Sequence, residues 1–474
     1  MSDLPFSSAI EQADLVRRKE ISPVELVMVY LERIHRLDPH LNSYVAVVPE
    51  LALERAHTAE KAVMAGDDLP PFHGVPISIK DLHDTAGIRT TYGCTAYADH
   101  VPEQDTTTIL RLKDAGFIVL GKTNAPELGT VPVTESALHG VCRNPWDTER
   151  TPGGSSGGAA AALAAGLCPI SHGSDGGGSI RIPASCCGLF GLKPARGRVS
   201  SGPDRGDSLA GLATDGPIAR TVEDAAAMLD VIAGYELGDP YWAPPPARPF
   251  RDEVGVPVDA LRVAFTTTPP TYAPVEAECV AAVEDAAQLL ESLGHKVEQA
   301  DPDWFDPELI SHFFNVWQLI PVYNEISDYT QLEDLNRSFG ELSEQTSVAT
   351  FVRSMIALQR LSRRIVSMWS DFDLLLTPTL ALEPVPVGWI AQDPDPGMQF
   401  ARCGFFTPFT PQANLTGQPA VSLPLHWTDG GLPIGVQLIG GPADEATLLS
   451  VSAQLEEARP WRSRRPGLVE SDAA

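Results

Sequence analysis

The chain has 474 residues, 43% hydrophobic and 20% charged, the composition of a globular protein with ample chain for a large core. A net charge of −28 at pH 7 argues against nucleic acid as a partner, because that binding needs clustered Lys and Arg. The seven cysteines show no CxxC and no metal-ligand spacing, so a reducing compartment, here the cytoplasm, is expected and no metal site is.

The N-terminal MSDLPFSSAIEQADL lacks a basic region followed by an apolar run, so no signal peptide is expected. No apolar stretch reaches the ~18 residues of a membrane span. Ser22-Pro23-Val24-Glu25 is a capping box with proline at the first helical position, predicting a helix through about His35. LNSYVAVV reads as a strand and LALERAHTAEKAVMAG as an amphipathic helix. VPISIKDL alternates toward a strand that carries Lys80 and Asp81 to its end. TTTILRLKDAG then reads as helix and FIVLGKTN as strand, an alternation that favours an α/β sheet. TPGGSSGG is loop, AAAALAAG helix, LCPISHGSD strand and GGGS loop.

ARGRVSSGPDRGDSLAGLATDG is a long loop rich in Gly, Ser and Asp, of the kind that covers sites. Arg198, Arg205 and Leu209 are its bulkiest members and the expected substrate contacts. TVEDAAAMLDVIAG is a helix with a threonine cap, and YWAPPPARPF an extended connector. LRVAFT, VEAECVAAVEDAAQLLESLG and HKVEQA read as strand, helix, strand. Residues 307–372 are mostly helical by period. DLLLTPT, PAVSLPLH and GVQLIG are buried-type strands, and the basic RPWRSRRPG reads as a solvated tail. The sum is one α/β domain over residues 1–474, a mixed, mostly parallel central sheet flanked by helices.

The densest chemistry lies between Thr151 and Gly197, where two serines sit among glycines: Ser155 in GGSSGG and Ser179 in DGGGSIR. Glycines permit positive φ and let backbone N–H groups approach a bound group. Gly176, Gly177, Gly178 and Ser179 can turn their amides toward one point, as an oxyanion hole requires. Ser179 precedes IRIPASCC, a candidate helix whose N-terminus adds positive potential.

GGSSGG, GSDGGGSIRIPA and GLKPARGRVS, in that order and spacing, together with the upstream GVPISIKD, resemble the amidase signature family. The resemblance extends over nearly the whole chain, from SPVELVMVYLERI to NLTGQPAVSLPL and GLPIGVQLIGG. It implies a signature core at about residues 70–230, with residues 300–372 as a cap-like helical region. It implies Ser179 as nucleophile, Ser155 as a bridging serine on a cis peptide, and Lys80 as base. A lysine serves as base only when burial favours its neutral form. Asp175 and Arg181 read as an internal ion pair supporting the nucleophile loop. The implied activity is hydrolysis of small-molecule amides or carbamates with no cofactor or metal, by a monomer or homodimer that binds neither nucleic acid nor membrane. The phrasing HGSDGGGSIRIPAS resembles the branch acting on nylon-type oligomers, aryl amides and urethanes.

Taken singly, these features have plainer explanations. A lone lysine in IKD is more often at the surface or ion-paired. His172 reads as structural, and Trp317, Trp389, Phe405 and Phe406 as core aromatics that could instead line a pocket. Two rival functions share pieces of the pattern. Gly153-Gly154-Ser155-Ser156-Gly157 satisfies the G-x-S-x-G of an α/β-hydrolase, but the WDTERTP before it is polar and His426 is the sole well-placed late histidine. The amidase subunit of a tRNA-dependent amidotransferase shares the motifs, but strong acidity does not suit an RNA-handling assembly.

Overall fold

Strand pairing carries the architecture. The computed structural model describes residues 3–470. Its strands are β1 (Tyr44–Val47), β2 (Pro76–Lys80), β3 (Ile118–Thr123), β4 (Glu135–Ser136), β5 (Gly140–Val141), β6 (Ser171–Asp175), β7 (Phe190–Lys193), β8 (Thr214–Ala219), β9 (Arg262–Phe265), β10 (Lys296–Gln299), β11 (Leu374–Pro378), β12 (Ala420–Trp427) and β13 (Pro433–Ile439). β4 and β5 pair with each other, and the rest form one 11-stranded sheet in the order β1-β3-β2-β6-β8-β7-β12-β13-β11-β9-β10.

The sheet is mixed. β2 runs parallel to β3 and β6, and β9 runs parallel to β10 and β11. These are the two places where strand and helix alternate in the sequence. Between them, from β6 through β8, β7, β12 and β13 to β11, neighbours are antiparallel. A short turn at Thr428–Leu432, with Gly431 at φ +82°, joins β12 to β13 and imposes that direction.

The helices form for local reasons. Ser22 Oγ accepts from the Glu25 amide and the Glu25 carboxylate accepts from the Ser22 amide, closing the predicted capping box. That helix runs to Leu41, beyond the expected His35, because Leu37 and Leu41 continue the buried face before Asn42 ends it in a left-handed cap. Helix Gly157–Ala164 is buried on every side. Its small residues allow the close approach: a Cβ on Gly158 would stand 2.4 Å from the backbone nitrogen of Asn124, just past the end of β3. Helices Leu309–Trp317, Ile320–Tyr323, Asp334–Gln345 and Val348–Val366 cap one end, with Trp317, Phe339 and Leu358 packed toward Leu375 and Ile439 of the sheet.

The basic C-terminal segment is no solvated tail. Trp461 is buried and donates from Nε1 to the Arg220 carbonyl at 2.8 Å, and Arg464 stacks on Trp427. Arg464 and Arg465 lie over the rings of Trp427 and Phe6, and Arg459 and Arg462 pair with Asp285 and Glu11, contacts that sequence composition alone does not reveal. All seven cysteines are buried and unpaired. No described helix is long and apolar enough to cross a membrane. Met1 and Ser2, part of the segment read for a signal peptide, lie outside the described residues.

Gly158→Ala forces the buried helix off its neighbour, an overpacking cost of roughly 1–3 kcal/mol. Thermal denaturation should show a lowered Tm, and a Tm equal to wild type would refute the close-approach account.

Candidate active site

Lys80 ends β2 with no exposed surface. Its Nζ lies 2.8 Å from Ser155 Oγ, 3.1 Å from Ser174 Oγ and 3.3 Å from the Ser174 carbonyl. Burial lowers its pKa to about 7, while Asp175 and Asp215 pull the other way. A neutral amine has two N–H groups and one lone pair. The two Ser174 oxygens can take the first, which leaves the lone pair for the Ser155 hydroxyl.

Ser155 follows a cis Gly154–Ser155 peptide. Gly154 lies so close to Val133 that a Cβ would come within 2.7 Å of its backbone. Ser179 stands on the turn between β6 and helix Arg181–Cys187. The Ser156 amide donates to the Ser179 carbonyl at 3.2 Å, which ties the two serine segments together. Ser155 and Ser179 line the same cavity.

The expected support pair is present. Arg181 donates from Nε to Asp175 Oδ2 at 3.0 Å and from Nη2 to Oδ1 at 2.8 Å, both side chains being fully buried. Asp175 also accepts from the amides of Gly178 (2.8 Å) and Ile180 (3.2 Å) and from Asn414 Nδ2 (2.8 Å). Burial alone would raise the pKa of this carboxyl, but Arg181 holds it below the usual carboxylate range.

One consequence corrects the expected oxyanion hole. The Gly178 amide is spent on Asp175 and is not free for a substrate oxygen. Gly176, Gly177 and Ser179 remain, their amides meeting no acceptor among the described residues. Gly178 serves the turn instead: its φ is +127°, and a Cβ there would strike Thr410 Oγ1 at 2.3 Å. Thr410 in turn donates to the Gly177 carbonyl at 2.7 Å.

Ser179 faces two cavities. A polar basin of about 620 Å³ is lined by Ser155, His83, Tyr97, Arg205, Leu209 and Asp215 among others. A second cavity of about 290 Å³ is apolar, with Ile182, Phe313, Phe400 and Phe405 in its wall. Trp317 borders both, fixed by an Nε1 bond to the Thr130 carbonyl at 3.1 Å and stacked on Phe313.

The loop residues therefore divide. Arg205 and Leu209 reach the basin, but Arg198 does not. It is buried against Glu445, donating from Nε and Nη2 at 2.9 Å each, and lies over Phe250. Of the four aromatics, Trp317 and Phe405 line a cavity. Phe406 is core, and Trp389 stacks beneath Arg402. His426 contacts Glu278 at 3.2 Å and lines neither cavity, and the residues before Ser155 form no strand, so the α/β-hydrolase elbow is absent. Sequence reasoning missed Ser174, Thr410 and Asn414. Ser174 had a signal, since it alternates with His172 on β6, whereas TPQANLT carries none.

The structure also gathers His83, His172 and Asp215, with one donor atom of each within 4.8 Å of the others. No sequence spacing showed this cluster, because three separate segments supply it.

A mixed sheet that sets a buried lysine against one glycine-wrapped serine, with a second serine lining the same cavity, is the scaffold of a hydrolase of non-peptide amide C–N bonds. The chain belongs to the amidase family, whose sequence profile matches residues 25–449. The 6-aminohexanoate-cyclic-dimer hydrolase of Paenarthrobacter ureafaciens is 35% identical over 98% of this chain and 97% of its own. A solved 6-aminohexanoate cyclic dimer hydrolase complexed with substrate matches with a TM-score of 0.91 at 34% identity, over 98% of this chain and 99% of that one. A bacterial aryl acylamidase structure matches at 0.87 with 28% identity, over 96% and 97%.

The Lys80 environment sets a pH dependence. A pKa depressed to about 7 makes the base form dominant above that pH and lost below it. The kcat/KM profile should fall on the acidic side with one apparent pKa near 7 and hold into mildly alkaline solution. Lys80→Arg keeps a charge that cannot dissociate and should lose roughly 10²–10⁴-fold in rate. Near-native activity in that variant would refute Lys80 as base.

Proposed function

We propose that the chain hydrolyses small amides through an acyl-enzyme on Ser179, with Ser155 as proton bridge and Lys80 as base. The observation that carries this reading is the 2.8 Å approach of Lys80 Nζ to Ser155 Oγ inside a fully buried site. Neutral Lys80 takes the Ser155 proton while Ser155 takes that of Ser179. The Ser179 oxygen bonds to the amide carbon, and the amides of Gly176, Gly177 and Ser179 receive the developing oxyanion. The C–N bond then breaks as Ser155 gives the proton it took from Ser179 to the leaving nitrogen and is itself reprotonated by Lys80, which returns to the neutral form. Water repeats the relay on the ester and frees the acid.

The two cavities shape the substrate. An apolar acyl or aryl group fits the 290 Å³ pocket, and a polar amine half fits the wider basin. Anilides, ω-amino-acid oligoamides and aryl carbamates all divide in this way, and the relatives named above act on the first two kinds of bond. The charge of −28 and the buried free cysteines support a cytoplasmic enzyme of small molecules. The contact of Leu209 and Arg205 with the basin supports a free amidase whose own loop shapes the leaving-group side, not the catalytic part of an RNA-dependent complex.

A fluorophosphonate should label one residue, and peptide mass spectrometry should place the adduct on Ser179, with none in Ser179→Ala. An adduct on Ser155 would reverse the two serine roles.

Leu209→Ala should change the kcat/KM ratio between a small primary amide and a bulky aryl carbamate severalfold. Labelling of Ser179 by a small reagent should be nearly unaltered. Equal loss on both substrates with a lowered Tm would show that the loop only stabilises.

A further inference from the structure

Two residues lining the basin, His83 and Asp215, and the buried His172 behind them form a set of groups that the proposed chemistry leaves idle. β6 and β8 pair with Ser174 opposite Asp215. His172, two residues before Ser174, therefore shares a sheet face with Asp215, the face on which Lys80 reaches Ser174. His83, three residues past Lys80, comes to the same place. Its Nε2 is 2.7 Å from Asp215 Oδ1, and its ring stands edge-on to His172 with centroids 4.5 Å apart.

His172 is fully buried, yet neither ring nitrogen has a hydrogen-bond partner among the described residues. Such orphaned polar atoms are uncommon in folded proteins. Nε2 lies 3.6 Å from Asp215 Oδ2, too far for a hydrogen bond. That gap is close to the ~3.4 Å separating two ligand atoms on a tetrahedral ion with bonds of ~2.0–2.1 Å. Thr108 Oγ1 donates to Asp215 Oδ2 at 2.7 Å, and Lys122 Nζ holds the His83 carbonyl, so the surrounding shell is already built.

We propose that His83, His172 and Asp215 bind a divalent transition ion of the zinc type, its open coordination position facing the basin that contains Ser155 and Ser179. Two imidazoles and one carboxylate are the donor set for such an ion, and three protein ligands leave a fourth position for water. On binding, the ion takes the place of the proton between His83 Nε2 and Asp215, and in the neutral ring that proton moves to Nδ1, which meets no other partner among the described residues, leaving the Nε2 lone pair for the ion. The site is regulatory in this account: an ion there narrows the basin, so occupancy inhibits. The inference goes beyond the amide-hydrolysis reading: binding of the ion does not depend on it, whereas the inhibition rests on it.

The test uses the full-length protein freed of metal with dipicolinate. Zinc sulfate titrated against it by calorimetry should bind at one equivalent. His83→Ala and Asp215→Asn should each weaken that binding at least tenfold, with folding checked by circular dichroism. In the wild-type protein, zinc should also protect His83 from diethyl pyrocarbonate, read by peptide mass spectrometry, which holds even if a variant fails to fold. Added zinc should depress amidase activity, and EDTA should restore it. No zinc binding, binding unchanged in both variants, or modification of His83 at the same rate with and without zinc would overturn the proposal.

Discussion

The carboxylate of Asp175 fixes the turn on which the site is built. Through Gly178 and Ile180 it grips both sides of Ser179, and through Arg181 it reaches further. The remaining guanidinium donors bond the Thr410 carbonyl, Gln437 Oε1 on β13 and Asn414 Oδ1. One buried ion pair thus fastens the Ser179 turn to two segments more than 200 residues away in sequence. Buried pairs of this kind add little net stability, yet losing one partner is costly. Their contribution here is position.

Burial by itself does not set Lys80 apart. Lys122 and Lys193 are also buried, and burial lowers both, to about 8 and about 7. Lys122 is taken up by the His83 carbonyl and by Thr85 and Thr90, and Lys193 by the Pro194 carbonyl. Lys80 differs in its partner, a serine hydroxyl that opens onto a cavity. A shifted pKa points to function only when its owner can meet a substrate or the group that attacks one.

What was legible in the sequence was what local chemistry determines. The capping box at Ser22, the strand ending at Lys80 and the glycine turns around Ser155 and Ser179 each follow from a few adjacent residues. The parallel flanks of the sheet followed from strand and helix alternation, but the antiparallel middle depends on pairings between distant segments. Arg198 looked like a loop-tip residue because its neighbours are Gly and Ser, while its partner Glu445 lies 247 positions on. The Gly178 amide was within reach of sequence reasoning, since an Asp three residues earlier is a common acceptor for a turn amide. The His83, His172 and Asp215 cluster was not, for it exists only once β2, β6 and β8 are adjacent.

Trp317 stands as a wall between two compartments that meet at Ser179. On the proposed acyl-enzyme route, a bound amide would straddle that partition, its acyl half in the apolar pocket and its amine half in the basin. The amine would leave through the basin and water would reach the ester by the same path, so the partition would give the proposed reaction a direction in space, favouring hydrolysis over re-formation of the amide.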